Sequence, residues 1–227
     1  RTPLSGARSR GRSFPNELKM AVHRCLWPAL VGLVLVAAAG PPVEGATDAE
    51  ARASNFIDAL AGDAIEALTV SEVPRPERIA RFRTIFNDHF AVAAIGKWVL
   101  GRHWRRASAD EREDYLVLFE DLIVVSYVDR FAEYAGERLN VTRTVVVDSA
   151  NVTVYSEIMR PTGGPPIRVD WRVGSLDQAL KIVDVVVEGT SMSATLRSDF
   201  GSIIRRNGGQ VAGLIAEMRD KTQSLRK

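Results

Sequence analysis

PPIRVDWRVGSLDQALKIVDVVVEGTSMSATLRSDF, residues 165–200, decides how the rest of the chain is read. Its first part alternates cleanly. Ile167, Val169, Trp171 and Val173 point one way, and Arg168, Asp170 and Arg172 the other. That is a strand with one buried and one wet face, as an antiparallel sheet requires. Its second part is apolar on both faces: Ile182 and Val186 read onto one side, Val183, Val185 and Val187 onto the other. Such a strand is central, or covered on both sides. The valine run then stops at Glu188-Gly189, and a helix-like stretch begins with Ser191 as its N-cap.

Working outward, the period of two extends upstream. Residues 139–147, 151–160, 166–174 and 180–188 read as four consecutive strands, with turns at 148–151 and 161–166. Helical periods flank them. Residues 49–69 read as a helix that Gly62 breaks or bends. Residues 76–90 form a second, with Pro76 at its first position. AVAAIGKWVLG (91–101) reads as a buried helix ending at Gly101, with Trp98 as plain core or as a gate. Residues 108–134 form the longest helix, opened by a Ser108/Glu111 capping box and lined inside by Tyr115, Leu118, Phe119, Leu122, Ile123 and Val125. Two helices, 192–206 and 209–224, close the chain around an Asn207-Gly208-Gly209 stop. Helices, a meander, then helices make an α+β fold.

The N-terminal stretch is of a different kind. MAVHRCLWPALVGLVLVAAAGPPVEGA (20–46) has a basic start at Arg24, an apolar run over 30–39 and small residues beyond. That is the pattern of a secretory signal peptide, too short for a membrane span. We read 1–19 as an upstream artefact, 20–45 as the signal peptide and 46–227 as the functional domain. The net charge of +2 comes from this leader: six basic residues face two acidic ones in 1–45, and beyond it acidic residues outnumber basic ones. The charge is thus no argument for nucleic acid. The sole cysteine, Cys25, lies in the leader, which leaves no thiol chemistry or disulfide for the rest. Cleavage and cysteine-free export suit a bacterial periplasm.

Reactive constellations are sparse. Beyond the leader only His89 and His103 remain, without metal-site spacing, and no phosphate-binding loop is present. Gly189-Thr190-Ser191-Met192-Ser193 approaches a nucleophile elbow but lacks its final glycine, so Ser191 reads as a cap. Asp184 reads as a hydrogen-bond or salt-bridge partner at the sheet face, the alternative being a general base. Arg197 is open between an anion clamp and a surface ion-pair partner. We expect no enzyme, no cofactor and no metal. The surplus is apolar surface, which periodicity alone cannot divide between filled core and ligand cavity.

Three stretches carry a resemblance. VLGRHWRRASADEREDYLVLFEDLIVVSYVDRFAEYAGE (99–137), PPIRVDWRV (165–173) and KIVDVVVEGTSMSATLRSDFGSIIRRNGGQVAGLIAEMRDK (181–221) are similar to ordered motifs of the MlaC family, periplasmic phospholipid-shuttle proteins also known as toluene-tolerance proteins. Thr190 departs from the family pattern, where valine is common. The resemblance implies a twisted antiparallel sheet of about four to five strands wrapped by N-terminal and C-terminal helices around an apolar pocket for phospholipid tails. It implies a soluble carrier between an inner-membrane ABC transporter complex and an outer-membrane lipoprotein–porin complex, with a role in outer-membrane asymmetry. Trp104, Tyr127, Asp184, Gly189 and Arg197 fall at its framework positions. For the lipid-binding wall we single out Val99, Leu118, Leu122 and Val125 from helices. From strands we take Ile158, Ile167, Val169, Trp171, Val185 and Val187, and from the closing helix Met192 and Leu196. Three alternatives stand beside this reading: a carrier of another lipid such as a hopanoid, an adaptor of a membrane complex with a filled core, and a hydrolase using Ser191.

Overall fold

The computed structural model describes residues 44–68, 73–132, 136–176 and 179–226. The regions 1–19 and most of 20–45 lie outside the described residues. Four helical segments come first: α1 (Glu44–Leu68), α2 (Arg75–His89), α3 (Val92–Leu100) with a 3-10 turn (Gly101–Arg105), and α4 (Ala109–Ala132). The meander follows as β1 (Arg138–Val146), β2 (Asn151–Met159), β3 (Ile167–Leu176), β4 (Ala179–Val187) and a two-residue β5 (Thr190–Ser191). Two helices end the fold, α5 (Met192–Arg206) and α6 (Val211–Arg226). The sheet order is β1-β2-β3-β4-β5, and every neighbour is antiparallel. The α+β architecture read from the sequence is the one observed.

Local chemistry explains most boundaries. At the start of α4, Glu111 N donates to Ser108 Oγ and Ser108 N to the Glu111 carboxylate, which closes the capping box. Gly208 and Gly209, with φ of 66° and 83°, end α5 in the left-handed region that glycine enters freely. Glu188 and Gly189 also have positive φ, 48° and 78°. Both central residues of a two-residue type I′ hairpin need this, and here they turn β4 into β5.

Three sequence readings need correction. Helix α1 runs unbroken through Gly62, and a Cβ there would meet nothing within 4 Å. A single glycine on an open helix face costs about 1 kcal/mol but does not end a helix supported by packing. Trp98 is not core: it is 48 % exposed on the outside of α3. The third correction concerns β4. A bulge lies where Arg172 pairs with Asp184 but Val173 pairs with Ile182. The extra residue, Val183, reverses the alternation, so Ile182 shares a face with Val185 and Val187 while Val186 lies opposite.

The core sits between the inner sheet face and α1, α2 and α4. Ala53, Ile57, Leu60, Phe82, Ile85, Phe86, Val124 and Val128 meet Val152, Val154, Val173 and Ile182 there. At the junction of α2 and α3, Phe90 bridges Ile182 and Ala91 N donates to its carbonyl (2.9 Å), which covers the far edge of β4. A second apolar contact joins α4 to α5, where the rings of Tyr115 and Phe119 each meet Phe200 edge-on. Burial pushes the Tyr115 hydroxyl far up in pKa, and it donates to Gly96 O at 2.8 Å.

Candidate functional site

The inner sheet face can be read in rows across the strands. The register puts Leu139, Ile158 and Ile167 in the first row. Val141, Ser156, Val169 and Val187 form the second, and Thr144, Val154, Trp171 and Val185 the third. The fourth is Val146, Val152, Val173 and Ile182. Burial changes along these rows. In the fourth, Val152, Val173 and Ile182 are fully buried. In the first, Leu139, Ile158 and Ile167 are all only half-buried. Val187, Trp171 and Val185 are half-buried too. The helices therefore seal one end of the face and leave apolar surface incompletely covered at the other.

The buried polar side chain on this face is neutralised internally. Ser156 is 2 % exposed; its Oγ donates to Val169 O (2.8 Å) and accepts from Trp171 Nε1 (3.0 Å). Both polar groups face each other and not the space above the sheet. The indole is thus held in place with its apolar body available.

All six strand residues named from the sequence, Ile158, Ile167, Val169, Trp171, Val185 and Val187, fall on this one face. The helical choices are placed elsewhere. The α4 side chains packed against the sheet-facing cluster are Ile123, Val124, Tyr127 and Val128. Leu118 and Leu122 lie roughly a third of a turn round the helix from Val124 and Val128. Leu122 and Val125 are buried outside that cluster, as is Val99 on α3. Met192 and Leu196 are half-buried in the first turns of α5. Half-buried Leu139 and Val141 of β1, Phe56 of α1, and Ile123 and Tyr127 of α4 pack against that cluster instead. Their signal was available: Leu139 and Val141 alternate on β1, and Tyr127 lies one turn beyond Ile123.

On the opposite face of β4, Asp184 organises the corner that leads into α5. It is 6 % exposed. Its Oδ1 accepts from Ser193 N (3.1 Å) and Ser193 Oγ (2.7 Å), and its Oδ2 from Ser191 Oγ (2.7 Å) and Arg172 Nη1 (3.1 Å). Ser191 Oγ in turn accepts from Ala194 N (3.1 Å), so it is the N-cap. A carboxylate at a helix N-terminus also meets the positive end of the macrodipole. Ser191 is engaged on both sides and has no histidine partner among these contacts. One turn further, Arg197 Nη1 donates to Trp98 O (2.8 Å), and its guanidinium lies 4.7 Å from the Trp98 ring centroid. Gly101, at φ 58°, makes room for it: a Cβ there would come within 2.9 Å of the guanidinium. Arg197 is thus a clasp between α5 and α3. Among the described residues, no group of three or more His, Cys, Asp or Glu converges as a metal site would need.

The geometry defines a class: an open antiparallel sheet packed by helices, whose apolar inner surface is sealed at one end and half-covered at the other. The family follows. The profile described as MlaC protein matches residues 58–220, and the chain belongs to the MlaC family. The intermembrane phospholipid transport system binding protein MlaC of Haemophilus influenzae is 25% identical over 116 residues, 50% of this chain and 54% of that protein. The chain thus matches about half the length of that relative. A phospholipid-binding protein from Ralstonia solanacearum, solved in complex with a phospholipid, shares the fold. Its TM-score is 0.66 at 19% identity, covering 76% of this chain and 98% of that one.

Proposed function

We propose that this protein is a phospholipid carrier of intermembrane transport, and that the acyl chains lie against the inner sheet face. The observation that carries this is the graded burial of that face. Leu139, Ile158 and Ile167 at its open end, and Trp171, Val185 and Val187 beyond, keep apolar surface only half-covered. Unfilled apolar surface is costly, and each methylene a lipid tail buries there contributes about 0.8 kcal/mol. The names of the relatives point the same way: one is a phospholipid transport binding protein, the other holds a phospholipid.

The tail-contacting set starts with Ile158, Ile167, Val169, Trp171, Val185 and Val187. Val99, Leu118, Leu122, Val125, Met192 and Leu196 would contribute if the helices part from the sheet as a lipid enters. The carrier acts in the periplasm after removal of the 20–45 signal peptide. It exchanges lipid with an inner-membrane ABC transporter complex and an outer-membrane lipoprotein–porin complex, and so supports outer-membrane asymmetry. It performs no covalent chemistry; the work is solvation of the tails.

The test is native mass spectrometry of the protein recovered from a bacterial periplasm, with lipid extraction from the same sample. A mass increment of one phospholipid is expected. A sterol-like increment assigns the carrier to hopanoids. A bare chain that also takes up nothing from liposomes contradicts the carrier reading and favours an adaptor.

A further inference from the structure

Basic residues are distributed unevenly over the described surface. On α1, α2 and α6 most arginines are paired: Arg75 with Asp129, Arg83 with Glu120 and Asp121, Arg219 with Asp114, Arg226 with Asp121. The corner where α3, the 3-10 turn and α5 meet is different. Lys97, Arg102, Arg105 and Arg106 are exposed within ten residues that include no acid. Arg197 and Arg205 of α5 add to them and are exposed as well. Among the described residues, no salt bridge involves any of these six.

Ring contacts gather part of this set, with Arg197 over Trp98 and Lys97 over Trp104. The buried His103 ring lies beneath them, its pKa lowered first by burial and then by the charges of Arg102, Arg106 and Arg205. The acidic run that opens α4 does not cancel them fully. Glu111 is held in the Ser108 cap and Asp114 faces Arg219, while Asp110 and Glu113 of α4 and Asp199 of α5 are exposed and in no salt bridge among the described residues, which leaves six cations against three free acids.

Two tryptophans stand among these cations. Trp98 is 48 % exposed, with Arg197 over its ring. Trp104 is half-buried, with Lys97 and Arg112 at 5.7 and 5.4 Å from its ring centroid. We propose that this corner docks the protein on an anionic phospholipid membrane surface. Exposed indole beside unpaired Arg and Lys is the chemistry of a lipid–water interface. The ring settles at the level of the head groups while the cations meet phosphates. Indole flanked by cations settles at the head-group level of a bilayer; an acidic protein, which would also accept Arg and Trp, is the occupant the vesicle test separates from it. The docking residues differ from the strand residues of the tail-binding face, and membrane binding and lipid content are read separately.

Sedimentation with vesicles of phosphatidylcholine, with and without phosphatidylglycerol, tests the proposal. Three full-length proteins are compared: the parent chain, Arg102→Glu/Arg105→Glu/Arg106→Glu, and the control Arg138→Glu/Arg143→Glu/Arg160→Glu, which makes the same charge change elsewhere. The parent and the control are expected to bind the anionic vesicles alike, and the corner variant at least about tenfold more weakly. Because the leader is common to all three, it cannot produce that difference. Trp98→Phe is expected to fold normally and lose part of the binding, including at salt levels that screen the arginines. Equal losses in corner and control variants would overturn the proposal by showing general electrostatics. No binding by the parent would also overturn it, leaving an acidic protein partner as the corner's occupant. Phospholipid content, measured on the same samples, reports the carrier reading separately.

Discussion

Asp184 and Val185 are adjacent in the chain and face opposite sides of β4, in two regions built on opposite plans. On Asp184's side both carboxylate oxygens are engaged, by two serines, one backbone N–H and Arg172. On Val185's side the neighbours are mostly apolar, and Trp171, Val185, Val187, Ile158 and Ile167 are half-covered around the buried Val154, Ser156 and Val169. The saturated corner has one arrangement and a high cost for leaving it. The half-covered face has no directional bonds to satisfy and can accept a variable number of methylenes. A carrier needs both: a rigid seam to hold α5 on the sheet, and a surface that tolerates being empty or filled.

The largest effects should come from breaking the seam and from emptying the sealed end of the inner face. Asp184→Ala leaves the Ser193 N–H without its carboxylate and frees Arg172 into water. We expect a loss of about 3 kcal/mol in stability, read from the denaturant midpoint. A loss below about 1 kcal/mol would show that the corner is not the rigid region. The graded face is tested by a pair of truncations. Ile182→Ala, at the sealed end, should cost about 2–5 kcal/mol, and Ile167→Ala, at the open end, under about 1 kcal/mol. Equal costs would mean that the face is filled uniformly.

The smallest effect depends on pH. Glu188, in the left-handed turn beyond β4, accepts from Arg168 N (2.6 Å) and pairs with the Arg168 guanidinium (3.3 Å). Its pKa is lowered, chiefly by the backbone donor, against an opposing effect of burial. A carboxylate with a depressed folded pKa stabilises above its ordinary range near 4 and loses that contribution as pH falls through the depressed value. Glu188→Gln should therefore cost about 0.5–1 kcal/mol at neutral pH, modest because the pair is partly solvated, and the gap to the parent should close in acid. A gap independent of pH would assign the effect to the turn geometry alone.

Much of this contrast was legible in the chain. Alternation in Ile167, Val169, Trp171 and Val173 named the inner face of β3, and Ser108/Glu111 and Ser191 marked two helix starts. What escaped was register and rotation. Val183 is a valine among valines, so nothing distinguishes the bulged residue from its neighbours. A strand apolar on both faces does not encode which residue points where. Helix α4 is buried around much of its circumference, with Tyr115, Phe119, Val124, Val125 and Val128 all inside. Its periodicity therefore could not say that Ile123 and Tyr127, not Leu118 and Leu122, pack against the cluster beneath the sheet. The two-residue β5 is too short for any pattern. The unpaired state of the arginines at the α3–α5 corner depends on where α4 and α6 place their acids, which no local spacing records.

The most direct test sets the two faces of β4 against each other. Val185→Asp and Asp184→Asn, each recovered as folded protein from a bacterial periplasm, are compared by native mass spectrometry for bound phospholipid. The account predicts that Val185→Asp, which puts a charge into the inner face, arrives without lipid. Asp184→Asn, though less stable, should arrive with lipid at the parent's occupancy. Full lipid occupancy in Val185→Asp, or its loss in Asp184→Asn alone, would contradict the placement of the tails on the inner face of the sheet.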